Sequence, residues 1–364
     1  MGLVILVMRR DVSKYYKKWM ILKLGLVVLK HLTTLSIKRG IKFKALFALK
    51  EDIAQRRSVL YPIKLKKVDG RVYWNLNIPG YPAKRLPSVI KNEINSILSL
   101  KTGTVNTLIF ALTKKCGLNC AHCFEWNEIN KKEALSDSDV QLILRKYITD
   151  ASPSQVLLSG GEPFNRYNLM LQLIAEHSQK GVDFWIISSG KGATLERLVH
   201  LKKQGLIGLI ISIDHYLPAF HNQFRGSYRS FAEALEAIRL ARQLNLVTTV
   251  SVCPQKGKVT EEFVQKYLEF AKSLRVQFVQ IIEPRNKGRY DKKDMELTTE
   301  DQQVLESVYQ LYNSDSSYDD FPIIQYPDFN RRRFGCLGGI SLAYLDTNGK
   351  LNACPFCEGI ECCE

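Results

Sequence analysis

Three cysteines in the stretch KKCGLNCAHCFEWN, Cys116, Cys120 and Cys123, stand at the spacing C-x3-C-x2-C. Tetrahedral zinc and most iron–sulfur clusters take four ligands. Three thiolates on one loop hold three corners of a cubane cluster and leave one iron open to a small molecule. Zinc is the competing occupant. Its motifs usually pair one C-x2-C with another further along, and His122 offers a nitrogen, although as the neighbour of Cys123 it would have to turn to reach the same ion. Thiols that bind no metal are the third reading.

The next group that could do chemistry is GGEP: Gly160, Gly161, Glu162 and Pro163. It ends an apolar run. Glycines let a ligand approach the backbone closely, and a carboxylate can take an ammonium. Alone, Gly-Gly after a strand is a turn. Its weight comes from following a strand that itself follows the cysteine loop.

These groups need a scaffold, and a strand–helix rhythm supplies one. TVNTLIFAL (104–112), QVLLSG (155–160), DFWIISSG (183–190), GLIISID (208–214), VTTVSVCP (247–254) and QFVQIIEP (277–284) each read as a short buried strand. Helical patterns such as SDSDVQLILRKYITDA and FAEALEAIRLARQLN lie between them, the first capped by Ser136 ahead of an acidic turn. Strands alternating with helices predict an α/β fold with a parallel sheet, barrel-like or doubly wound. Ligands gather at the carboxyl ends of such strands, where the cysteine loop and GGEP both fall.

At this point the chain resembles the radical S-adenosylmethionine (radical SAM) superfamily, on Cys116, Cys120, Cys123 and Gly160–Pro163. The resemblance implies a partial (β/α)6 TIM-like barrel over about residues 108–284. It implies a [4Fe-4S] cluster whose open iron binds the amino and carboxylate groups of S-adenosylmethionine, with GGEP near the methionine amino group. One electron then cleaves the cofactor to a 5′-deoxyadenosyl radical that abstracts hydrogen from a substrate. Ser189, in the polar turn ISSG, and Ser212 and Asp214, in SIDH, match positions beside the cofactor; strand-end capping is the plainer reading of Ser212 and Asp214. His122 stands where the family often has an aromatic. An electron donor such as flavodoxin or ferredoxin is implied as a partner.

Near the end, ISLAYLDTNGKLNACPF alternates apolar and polar residues around Asn348-Gly349, a hairpin signal. Cys336 precedes it, and Cys354, Cys357, Cys362 and Cys363 follow. The pattern C-x12-G-x4-C resembles the opening of SPASM and Twitch domains, which carry auxiliary clusters. The chain stops at Glu364, so the expectation is an abbreviated, Twitch-like or truncated version. A second [4Fe-4S] cluster on Cys336, Cys354, Cys357 and Cys362 follows from that resemblance.

Composition bounds the rest. The 364 residues are 45% hydrophobic and 24% charged, as in an ordinary globular protein. The net charge is +16, of which +11 falls in residues 1–50, where Asp11 is the only acid. Such a segment suits a membrane surface or RNA. WMILKLGLVVLKHLTTLSI (19–37) is the most apolar stretch, and Lys23 and Lys30 interrupt it. The reading is a basic amphipathic helix, not a span, that either packs on the core with a solvated lysine face or touches a membrane. MGLVILVMRR has its apolar run before its charges, the reverse of a secretory leader. Nine cysteines in a chain of this length suggest metal binding in a reducing, cytoplasmic compartment, with membrane association through the basic segment.

The expected organisation is a basic, partly helical region (1–103), a radical SAM core (104–300) and a cysteine-rich hairpin region (301–364). The expected function is a radical SAM enzyme acting on a peptide or a biosynthetic precursor. The alternatives are an RNA-modifying radical SAM enzyme and a non-catalytic zinc or electron-transfer protein.

Overall fold

The computed structural model describes residues 14–39, 51, 64–98, 100 and 105–357. Cys362 and Cys363 therefore lie outside the described residues, as does much of the basic N-terminal segment. In chain order the chain runs α1 (Lys14–Arg39), β1 (Lys66–Val68), β2 (Arg71–Tyr73), α2 (Leu86–Ile97) and β3 (Thr107–Ala111). It continues with α3 (Asp137–Ala151), β4 (Gln155–Ser159), α4 (Tyr167–Ser178), β5 (Asp183–Ser188), α5 (Leu195–Gln204) and β6 (Leu206–Ser212). Then come α6 (Pro218–Arg225), α7 (Ser230–Gln243), β7 (Val247–Val252), α8 (Glu261–Ser273), β8 (Phe278–Ile281), α9 (Thr299–Ser314), β9 (Ile323–Gln325), α10 (Pro327–Phe334), β10 (Leu342–Leu345) and β11 (Leu351–Asn352).

Strands β3 to β9 lie side by side in chain order and pair in parallel, and this is the partial barrel that the resemblance implies. Successive strand residues face opposite sides, and both sides are covered, as a parallel sheet requires. Leu108, Phe110, Val156, Leu158, Phe184, Ile186, Leu209 and Ile211 pack with the helices. The intervening Leu157, Trp185 and Ile210 form a second core with Tyr73 and Leu76.

Tyr73 and Leu76 belong to the N-terminal hairpin, which closes the end of the barrel where the strands begin. Gln155, the first residue of β4, donates its side-chain amide to Leu76 O at 2.8 Å. Asp183, the first residue of β5, receives the Arg71 guanidinium at 2.8 Å. Residues 64–98 are thus a plug on one end, and the other end is left to the chemistry.

Three strands extend the sheet beyond the expected six. At one edge β9 pairs with β8. At the other, β10 pairs in parallel with β3, and β11 returns antiparallel to β10 around Asn348-Gly349. The expected hairpin is present, and its first strand is part of the barrel sheet. Ser136 caps α3 in a reciprocal capping box with Asp139, as its sequence predicts.

Helix α1 differs from the expected amphipathic pattern. Met20 and Leu35 are buried, while Trp19, Leu22, Leu26 and Leu29 are exposed among the lysines. The helix is apolar on two opposite sides, and its outward face is not simply a lysine face. Its segment Lys18–Ser36 is long and apolar enough, by length and composition, to cross a membrane.

Candidate functional site

The cysteine loop leaves β3 and lies over the carboxyl ends of the strands. Asn130 clamps its start, its side-chain oxygen accepting from Cys116 N and its amide donating to Cys116 O, both at 3.0 Å. The end of α6 pins its middle: Asn119 N donates to Arg225 O at 3.1 Å and Ala121 N to Phe224 O at 2.9 Å. Arg289 fastens the far side, its guanidinium reaching Asn119 O at 2.9 Å and its backbone N–H reaching Cys123 O at 2.9 Å. His122 stacks on Phe224 with ring centroids 4.7 Å apart, so it packs as the family's aromatic would. Burial lowers the His122 imidazole to about 4, which keeps it neutral.

The three thiols are partly buried, and burial raises each of them, Cys123 to about 12. Ligation must therefore displace three protons. Among the described residues no three His, Cys, Asp or Glu side chains converge as they would around a single ion. Cubane ligands occupy separate corners and stand further apart. Behind Cys120 lies a buried cation. Arg225 directs one guanidinium nitrogen to the Cys120 sulfur at 3.8 Å and another to Asp214 at 2.5 Å. Half-exposed thiols on a braced loop, backed by positive charge, fit an anionic iron–sulfur cluster.

GGEP is bound to this loop through its backbone. Gly161 N donates to Thr113 O at 2.7 Å and Glu162 N to Lys115 O at 2.9 Å. A Cβ on Gly160, where φ is +122°, would lie 2.7 Å from Thr113 O, and one on Gly161 would lie 2.4 Å from Lys115 O. The glycines are therefore needed for strand-to-loop contact, whereas the sequence alone suggested room for a ligand. Pro163 is buried and opens a short 3-10 turn.

Glu162 is buried and fully engaged. One carboxylate oxygen accepts from Ser188 Oγ at 2.7 Å and Phe164 N at 3.3 Å. The other accepts from Ser189 N at 3.0 Å and Ser189 Oγ at 2.5 Å. Burial pushes this carboxyl above its ordinary value, against the pull of the serine hydrogen bonds. The side chain thus joins the end of β4 to the polar turn after β5, and Ser189 is one of its partners.

Asp214 lies beyond β6, buried between Arg225 and the backbone N–H of Cys253, which it accepts at 3.1 Å. Burial alone would raise its carboxyl, but the surrounding charges, Arg225 foremost, hold it below the usual range. Its neighbours in the structure are the cation behind Cys120 and the end of β7. Ser212 closes β6, half-buried.

Sequence reasoning did not single out Arg225, Asn130, Arg289 or Lys191. Arg225 reads as an ordinary basic residue in a helix's last turn. Lys191 follows SSG, and its ammonium lies over the cysteine loop, 2.6 Å from where a Cβ on Gly117 would be.

The C-terminal hairpin reaches the same place. Asn348 at its tip accepts from Lys114 Nζ at 2.7 Å, and the Tyr344 hydroxyl donates to Glu125. Phe356 packs edge-on against Phe124 at 5.6 Å. Cys354 and Cys357, on either side of Phe356, have sulfurs 3.3 Å apart. Cys336 accepts from Gly338 N at 3.3 Å on its own turn.

Comparison with known proteins agrees with this geometry. Residues 110–271 match the Radical SAM superfamily. The AdoMet-dependent heme synthase of Methanosarcina barkeri is 21% identical over 277 residues, 70% of this chain and 78% of that protein. Streptococcus suis SuiB bound to S-adenosylmethionine superposes with a TM-score of 0.57 at 14% identity, over 74% of this chain and 65% of SuiB. SuiB bound to the precursor peptide SuiA gives the same score and identity over 85% and 72%. Residues 110–271 thus carry a radical SAM domain, the domain of enzymes whose cofactors are S-adenosylmethionine and a [4Fe-4S] cluster.

Proposed function

We propose that this enzyme uses a [4Fe-4S] cluster on Cys116, Cys120 and Cys123 to cleave S-adenosylmethionine reductively and to abstract hydrogen from a peptide or a biosynthetic precursor. The observation that carries the reading is the direct joining of GGEP to the cysteine loop through Gly161 N and Glu162 N. That contact would set a cluster held by the three cysteines next to a polar strand end. The cluster, when bound, supplies the electron that breaks the cofactor's C–S bond.

The chain's own residues then have assignable roles. Asn130, Arg289 and the end of α6 hold the loop in shape. Arg225 offsets negative charge at Cys120, and Asp214 keeps Arg225 in place. Glu162 fixes the turn that carries Ser189. The backbone of Gly160–Pro163, with Ser189, Ser212 and the Lys191 ammonium, is available to the cofactor's amino, carboxylate and ribose groups.

The substrate class rests on two supports. SuiB, of similar fold, is seen with a precursor peptide. The C-terminal hairpin borders the cysteine loop, and its Cys354–Cys357 pair, with Cys336 and the more distal Cys362, would hold a second cluster there. The heme synthase relative supports the biosynthetic-precursor reading. A low-potential donor of the flavodoxin or ferredoxin kind would supply the electron.

The test is anaerobic reconstitution followed by incubation with S-adenosylmethionine and dithionite. Methionine and 5′-deoxyadenosine in equal amounts are expected. Their absence from protein that holds about four or more iron atoms per chain would overturn the reading.

A further inference from the structure

Helix α1 keeps one face for the protein and offers another to something else. Met20 is fully buried against Leu65, Val72, Tyr81 and Leu86, and Leu24 packs beside it. His31 bonds Asn95 of α2 at 2.9 Å. On the opposite side Tyr15, Leu22, Leu26 and Leu29 are 86%, 61%, 50% and 62% exposed, and Trp19, 48% exposed, borders them with one edge against Tyr81 at 5.9 Å. Their steps of four and three residues align them in one stripe along the helix.

Exposed lysines border that stripe. By helical rotation Lys18 lies on one flank and Lys23 and Lys30 on the other. Lys23 Nζ stands 5.5 Å above the Trp19 ring. The helix has no Asp or Glu along its whole length. It belongs to the first fifty residues, which carry +11.

These features choose among occupants. A second copy of the helix would match the leucines but would set lysine flanks against lysine flanks with no acid to pair them. RNA would take the lysines and leave the leucine stripe in water. An anionic lipid surface takes both: headgroups meet the lysines, the acyl boundary takes the leucines, and Trp19 and Tyr15 suit the interface. Because the buried face is committed to α2 and the plug hairpin, the helix lies along the surface and does not cross it.

We propose that α1 docks this enzyme on an anionic membrane surface, through the stripe of Trp19, Leu22, Leu26 and Leu29 and the flanking Lys18, Lys23 and Lys30. The helix packs on the plugged end of the barrel, so docking leaves the cysteine loop at the opposite end open.

Co-sedimentation of the full chain with vesicles tests this. Wild type should bind vesicles of 7:3 phosphatidylcholine and phosphatidylserine, weaken with salt, and ignore pure phosphatidylcholine. Lys23→Gln/Lys30→Gln should lower partitioning about 30-fold. Leu22→Gln/Leu26→Gln/Leu29→Gln should lower it about a hundredfold or more. Both variants alter exposed residues, so each should elute as wild type does and cleave S-adenosylmethionine at the wild-type rate. Failure of wild type to bind the anionic vesicles would overturn the proposal. So would leucine-independent binding, which assigns the contact to charge alone, or a wild-type dimer that the leucine substitutions disperse, which makes a second copy the occupant.

Discussion

Each end of the barrel buries an aspartate against an arginine, and the two pairs serve different ends. At the plugged end Asp183 meets Arg71, whose side chain is 30% exposed and comes from the N-terminal hairpin. Burial there raises the Asp183 carboxyl above its ordinary value, despite Arg71. At the open end Asp214 meets Arg225, which is 10% exposed and also reaches Cys120. Here the surrounding charge prevails and the carboxyl is lowered. One pair is a clasp between two pieces of scaffold. The other holds a cation in place behind Cys120, one of the proposed cluster ligands. The lesson is that a buried ion pair has no function of its own; its third neighbour assigns one.

The comparison can be broken most severely at the ligands. Cys120→Ala should take 5′-deoxyadenosine formation below detection and leave the thermal unfolding of the metal-free chain within a degree or two. A variant that still makes the nucleoside would remove the open end's claim to the chemistry. Next comes Asp214→Ala, which strands a buried guanidinium. It should cost about 3–5 kcal/mol in denaturant unfolding and reduce cluster retention. Unfolding at the wild-type midpoint would mean that Arg225 is free to leave.

Glu162→Gln keeps the shape of the side chain but places an amide where the carboxylate accepts from Ser188 and Ser189. Losing one charge-assisted bond costs the turn about 1.5–3 kcal/mol, so the turn that carries Ser189 should loosen and cofactor affinity should fall with the iron content unchanged. Equal affinity by equilibrium dialysis would mean that the turn does not meet the cofactor. The smallest effect belongs to the plugged end. Asp183→Ala frees an arginine that can turn to water, so it should cost only about 1 kcal/mol and leave the cleavage rate untouched. A lost activity there would erase the distinction between the two ends.

Much of this was legible in the sequence where the signal is local. Cys116, Cys120, Cys123 and Gly160–Pro163 are short motifs, and the structure joins the two through Gly161 N and Glu162 N. The strand at Val247–Val252 and the helix at Asp137–Ala151 were readable because an apolar run or a capped periodic pattern ends in clear punctuation. What escaped depends on long-range contact. Arg225 comes 105 residues after Cys120, and only the packing of α6 on the cysteine loop joins them. β9 has three residues, too few to show a period. The pairing of β10 with β3 links Leu342 to Thr107 across most of the chain. In α1 two apolar faces on opposite sides cancel the periodicity that would have revealed either.

The central claim is a cluster with one iron left open by three cysteines. Electron paramagnetic resonance of the reduced, reconstituted enzyme, recorded with and without S-adenosylmethionine, tests it most directly. The account predicts a [4Fe-4S]+ signal that shifts when the cofactor is added and that is missing from the Cys116→Ala/Cys120→Ala/Cys123→Ala variant. A spectrum with no component that the cofactor shifts, or one that keeps that component in the variant, would contradict it.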